Sequence, residues 1–85
     1  MHTVDLLAQA LAEAKRLGFQ IRQEWLGGMG GACELRGQKW LFLDEALSPA
    51  EQLEVVLDAL HSEPALRLSP LDGDLGRLIE LRKAA

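Results

Sequence analysis

Three short stretches of alternating apolar and polar residues occupy positions 19–43, and glycines separate them. The first stretch, "FQIRQEWL", has apolar residues on one face and polar residues on the other, as half-buried strands do. The next two, "ACELR" and "KWLFLD", flank "RGQK", where Gly37 can begin a two-residue hairpin turn. Because short connections join antiparallel neighbours, this region predicts a three-stranded antiparallel meander with strands at 19–26, 32–36 and 39–43.

A turn that begins at Gly37 fixes which side chains of the hairpin share a face. It places Arg36 opposite Lys39, and the next pairs bring four apolar residues onto one common face. These residues are Cys33, Leu35, Trp40 and Phe42. We expect this face, together with Phe19 and Ile21, to form the core beneath the helices, with Cys33 as a buried structural thiol.

The last strand is apolar on both of its faces. In the expected register Leu41 and Leu43 point away from the core, and a slip of one residue would exchange the two sets of side chains. In either case a second apolar face needs a cover. The sequence leaves two candidates for that cover, the C-terminal helix and a partner chain.

Helices are predicted at 4–17, 49–61 and 70–83. Thr3 is the expected N-cap of the first helix, whose apolar residues recur at helical spacing. In "SPAE" Ser48 can cap the second helix, with proline at its first position and Glu51 completing a capping box. The 85 residues therefore predict one α+β domain, with helices packed on the sheet in the order α-β-β-β-α-α.

Composition narrows the classes of function. The net charge of −4 argues against a nucleic-acid-binding module, because such modules usually carry a basic stripe. No apolar run approaches the roughly 18 residues of a membrane span, and the N-terminus lacks the basic start and cleavage site of a signal peptide. One cysteine allows no internal disulfide. We therefore expect a cytoplasmic protein, and the abundance of leucine and alanine suggests a bacterial one.

Four glycines within five positions, Gly27, Gly28, Gly30 and Gly31, form the most unusual segment. Phosphate-binding loops use such glycines, but they lead into a helix N-terminus, whereas this loop leads into a strand. The residues favour a mobile or bulged hairpin connection, or a loop without side chains that lets a partner or ligand approach the backbone. Cys33, His2 and His61 match no metal-binding spacing, so we expect no metal and no cofactor.

The segment "KWLFLDEALSPAEQLEVVLDALHSE" resembles the core of zincin-type metallopeptidases of the ImmA/IrrE kind. In that family a strand leads through a proline-containing cap into a helix that carries the metal-binding HExxH motif. The corresponding slots here are residues 58–62, "DALHS", which lack both metal histidines and the general-base glutamate. His61 falls one position from the second ligand slot. The resemblance implies an inactive zincin-like scaffold.

These observations favour a non-catalytic module that binds another protein or itself, for example as a homodimer, with no nucleic-acid or membrane partner. Exposed apolar area on a small sheet commonly marks such a surface. The expected contact residues are Trp25, Gly27, Gly28, Gly30, Gly31, Leu41 and Leu43. The alternative is a small enzyme or ligand-binding protein that uses the glycine loop with Arg22, Cys33 and Asp44, and an inactive zincin relative is the third reading.

Overall fold

A computed structural model of the chain describes residues 2–25, 27, 30–63 and 75–78. Helix α1 spans Thr3–Arg16 and helix α2 spans Pro49–His61, and the two helices pack against each other. Residues 75–78 are also helical, inside the predicted third helix, whose other residues lie outside the described part. The fold is α+β with the predicted order of elements. Within the described residues no helix is long and apolar enough to cross a membrane.

The three strands form a mixed sheet, so the prediction of a purely antiparallel meander was wrong. Strand β1 spans Gln20–Glu24, β2 spans Gly31–Leu35 and β3 spans Gln38–Asp44. Their order in the sheet is β1-β3-β2, with β1 parallel and β2 antiparallel to β3. The physical reason is burial: the strand that is apolar on both faces takes the centre, and the two more polar strands become edges.

The chain between β1 and β2 therefore connects the two edge strands of the sheet, instead of two neighbouring strands. β1 and β2 lie two strand spacings apart, about 10 Å, and the chain must leave the sheet after Glu24 to bridge that gap. Gly27 and Gly31 have φ angles of +65° and +117°, and a Cβ at either position would meet nothing within 4 Å. These two positions favour glycine because of their positive φ angles, and not because a neighbouring atom lies too close.

The hairpin between β2 and β3 turns one residue earlier than predicted. Arg36 (φ 53°) and Gly37 (φ 78°) both have positive φ, which is the signature of a type I′ turn. Leu35 therefore pairs with Gln38, and Cys33 pairs with Trp40. The predicted pairs of Leu35 with Trp40 and of Cys33 with Phe42 were wrong by two residues, although the same side chains still share a face.

The helices cover the face that the sequence prediction had assigned to the outside. Leu41 and Leu43 are fully buried in the core, where Phe19 joins them, whereas Trp40 and Phe42 lie on the opposite face. Cys33 is exposed, so the expected buried thiol was also wrong. Alternation decides which residues share a face, but only packing decides which face the helices cover.

Backbone hydrogen bonds close the C-terminal ends of both helices, but only α2 has the predicted N-cap. Ser48 and Glu51 form the expected capping box, in which each accepts the other's backbone N–H. This bonding lowers the pKa of Glu51, first through the Ser48 N–H and second through its hydroxyl. Helix α1 instead starts at Thr3, with His2 at the N-cap and no side-chain cap.

Lys39, near the start of β3, contacts residues that follow α1 and α2. Its ammonium group donates to the Leu17 carbonyl at 2.7 Å, pairs with the Glu63 carboxylate at 3.0 Å and lies 5.2 Å from the centre of the Phe19 ring. These contacts connect the ends of both helices to the central strand.

Candidate functional site

The outer face of the sheet, opposite the helices, carries two half-buried aromatic residues. Trp40 and Phe42 alternate with the buried leucines of β3, and their rings stack at 5.8 Å between centroids with 11° between planes. Stacked rings of this kind form a flat, rigid apolar surface with few rotatable bonds. We call this outer face of the sheet, which carries Trp40 and Phe42, the aromatic face.

A shallow depression of about 600 Å³ opens on the aromatic face. All three strands and the hairpin turn contribute to its lining, which consists of Arg22, Leu35, Arg36, Gln38, Trp40 and Phe42. Leu35 has 52% of its surface exposed, a large fraction for a leucine on a sheet. The lining of the depression therefore combines apolar side chains with polar and charged ones, a common composition of binding surfaces.

The charges beside the depression are basic, although the chain as a whole is acidic. Arg22 donates from Nε to the Glu24 carboxylate at 2.8 Å, so part of its charge is compensated. Arg36 lies in the turn, and no ion pair is found for it among the described residues. The side-chain amide of Gln20 donates a hydrogen bond from Nε2 to Oε1 of Gln38 at 2.7 Å, which links β1 to the start of β3. A carboxylate next to an apolar group would complement this arrangement.

The structure separates the residues that the sequence prediction had grouped as a binding site. Leu41 and Leu43 have no exposed surface and belong to the core. Trp25 is 75% exposed and follows β1, Gly27 and Gly30 lie between β1 and β2, and Gly31 is the first residue of β2. Gly28 lies outside the described residues. The glycine segment and the leucines therefore do not form one surface.

A second hollow of about 310 Å³ lies between the start of β2 and the second half of α2. It is lined by Gly30, Gly31, Ala32, Val55, Asp58, Ala59 and Ser62. The C-terminal end of a helix carries partial negative charge, and Asp58 adds a carboxylate to it. Phosphate would be repelled here, so the glycine segment faces the wrong end of a helix for an anion cradle.

The other sequence candidates do not converge on one point. Arg22 and Cys33 lie on opposite sides of β3, next to Phe42 and Trp40 respectively. Asp44 is buried, and its carboxylate accepts the backbone N–H of Ala46 at 2.9 Å. Within the described residues no group of three or more histidine, cysteine, aspartate or glutamate side chains could hold a metal ion.

The segment that resembles a zincin core does fold as a strand, a turn and a helix. Its HExxH slots, residues 58–62, fall at the end of α2, and His61 is exposed there. This order of elements is common to many α+β domains. It therefore adds no metal-binding geometry to the resemblance.

Sequence reasoning missed the aromatic face because "KWLFLD" is apolar on both sides of the strand. The sequence does place Ile21 on one face of β1 and the charged Arg22 and Glu24 on the other, but this pattern identifies the outer face of β3 only when the strand order is known. Once β1 lies parallel beside β3, Arg22 shares a face with Phe42 and Ile21 shares one with Leu41. That placement depends on the strand order, which no local pattern encodes.

No protein-family model matches this chain, and no curated protein or solved structure is found to be similar to it. The candidate surface is therefore defined by the geometry of its own residues. Those residues supply stacked rings, one strongly exposed leucine and two guanidinium groups.

Proposed function

We propose that this protein is a non-catalytic interaction module that binds another protein through the aromatic face. The observation that carries the proposal is the stacked pair Trp40–Phe42 beside the 600 Å³ depression. Aromatic and arginine side chains are enriched at the centres of protein interfaces. Rings that are already stacked lose little conformational freedom when a partner covers them.

The charge arrangement supports a partner of defined chemistry. Arg22 and Arg36 line the same depression as Leu35, Trp40 and Phe42, in a chain whose net charge is −4. A segment with an apolar side chain and a neighbouring carboxylate would cover the rings and pair with a guanidinium group. We therefore propose an acidic, apolar protein segment as the partner.

A peptide-display selection tests this proposal with the full chain as bait. The expected peptides contain apolar residues next to aspartate or glutamate, and their affinity is measured by isothermal titration. Phe42→Ala and Arg36→Glu should each weaken binding about tenfold or more, as substitutions at the centre of an interface do. Lys15→Glu on α1 is the matched control, since it makes the same change of charge on an exposed helix surface.

Two results would contradict the proposal. The selection could enrich no peptide, or the enriched peptides could bind Phe42→Ala and Arg36→Glu as well as they bind the original chain. If Lys15→Glu weakened binding as much as Arg36→Glu, the effect would come from net charge alone. Circular dichroism and unfolding of each variant establish that the fold is retained.

A second candidate function, small-ligand binding, is favoured by the 310 Å³ hollow next to Gly30 and Gly31. The negative helix end and Asp58 select for a cationic or hydrogen-bond-donating ligand. Thermal-shift measurements with divalent metal ions, small amines and nucleotides test it. A rise in melting temperature that Asp58→Asn removes would support this function, and no rise with any of them would count against it.

A further inference from the structure

We propose that β2 pairs edge to edge with β2 of a second copy of this chain, giving a continuous six-stranded sheet. The strand lies at one edge of the sheet, and no other strand of the described residues pairs with its outer side. Its residues 32–35 are exposed. An unpaired edge of this kind offers backbone N–H and C=O groups to another strand.

The hairpin fixes which backbone groups point outward. A two-residue turn makes Leu35 and Gln38 a hydrogen-bonded pair, and bonded and non-bonded pairs then alternate along the ladder. Cys33 and Gly31 therefore bond to β3, whereas the N–H and C=O groups of Ala32 and Glu34 point to the free edge. Only a register that pairs Ala32 with Glu34, in both directions, uses all of these outward groups.

That register centres the two-fold axis on Cys33 and fits the side chains. Ala32 lies opposite Glu34 of the second copy, so the two Glu34 carboxylates are not directly opposed, as they would be in a register shifted by one pair. On the aromatic face Leu35, the largest side chain of β2, lies opposite Gly31, which leaves it room. All five residues of the strand are paired.

The other edge of the sheet is better protected against such pairing. β1 carries two charged residues, Arg22 and Glu24, whereas β2 carries only Glu34 and no lysine or proline. Charged side chains and proline are the usual protection of edge strands. Because one strand pair buries less area than a stable interface of about 1,200–2,000 Å², this dimer should dissociate on dilution.

A change of the charges at positions 32 and 34 tests the register independently of Cys33. Ala32→Glu places like charges opposite each other twice per dimer and should raise the dissociation constant roughly 2- to 30-fold. The double variant Ala32→Glu with Glu34→Lys should restore association, because each new glutamate then faces a lysine. Glu34→Lys alone, opposite alanine, should change little. Sedimentation equilibrium over a concentration series measures all four chains, and unfolding curves check that each is folded.

Cys33 provides a second, geometric test. In this register the two Cys33 residues form a non-hydrogen-bonded pair with Cα atoms about 4.5 Å apart, within disulfide range. With diamide as oxidant, two thiols give up two protons and two electrons to form one disulfide, and the diamide is reduced to the hydrazine. The chain should cross-link faster than Cys33→Ser combined with Glu34→Cys, in which the new thiols are offset.

A monomer at every concentration would overturn the proposal, as would equal association of Ala32→Glu and the double variant. Equal cross-linking of Cys33 and the offset thiol would overturn the register. This inference is independent of the proposed function: Arg36→Glu and Phe42→Ala test the aromatic face, whereas the charge exchange tests the β2 edge. Either proposal can therefore fail while the other stands.

Discussion

The two faces of strand β3 differ in role: the inner face contributes to the stability of the protein, and the outer face is the candidate binding surface. On the inner side of β3, Leu41 and Leu43 have no exposed surface, whereas on the outer side Trp40 and Phe42 remain half-buried. The four residues are consecutive and all are apolar. The difference arises from the helices, which cover only the inner side. Hydrophobicity alone therefore does not tell core from contact surface in a central strand.

The largest expected effect is on the inner side. Leu43→Ala should lower the free energy of unfolding by about 2–5 kcal/mol, because it removes buried methyl groups and leaves a cavity. Chemical denaturation followed by circular dichroism measures this change. A loss no larger than that of Phe42→Ala would break the distinction between the faces.

Asp44 tests the end of β3, where a polar residue is buried. Asp44→Ala should lower the free energy of unfolding by about 1–3 kcal/mol, since the N–H of Ala46 loses its acceptor. Asp44→Asn keeps an oxygen acceptor and is the matched control. If both variants unfolded alike, the hydrogen bond to Ala46 would not be the source of the effect.

On the outer side the effect on stability should be smaller. Phe42→Ala should lower the free energy of unfolding by about 1 kcal/mol, largely through loss of its stacking on Trp40. The same variant is expected to lose partner binding. A loss of stability equal to that of Leu43→Ala would show that the aromatic face belongs to the core.

The hairpin turn offers a change in the opposite direction. Arg36 adopts a positive φ that asparagine tolerates better, and Asn-Gly is a favoured type I′ pair. Arg36→Asn should therefore raise the free energy of unfolding by about 0.5–1 kcal/mol. The same substitution should also weaken the binding of an acidic partner, because it removes a positive charge. One variant that gains stability and loses binding would sharpen the contrast between the two faces.

The smallest effect concerns the cap that positions α2 over the inner face. The pKa of Glu51 is lower in the folded chain, so its contribution to stability is present above the ordinary glutamate range and is lost as pH falls through the lowered value. Glu51→Gln should flatten this acid dependence of the free energy of unfolding. Denaturation at a series of pH values measures it, and an unchanged acid dependence in Glu51→Gln would contradict the prediction.

Much of the fold could be predicted where the evidence is local. The Ser48–Glu51 capping box spans four residues and forms as predicted. The α+β class and the order of elements were also predicted. The hairpin was placed correctly to within one residue, but that residue changed every cross-strand pair, since the turn alone fixes the register.

The candidate site was much less predictable. Leu41 and Leu43 were expected to contact a partner and are core residues, whereas Trp40 and Phe42 were expected in the core and line the depression. An apolar residue carries the same local signal on either face. The choice depends on β1 lying beside β3, a contact between residues about 20 positions apart.

The sequence by itself determined the capped start of α2, the strand segments and a strand apolar on both sides, because these depend on contacts a few residues apart. Only the tertiary structure decided the strand order and the face that the helices cover. Both results depend on contacts distant in sequence, which compete for the same apolar surface and are chosen by total burial.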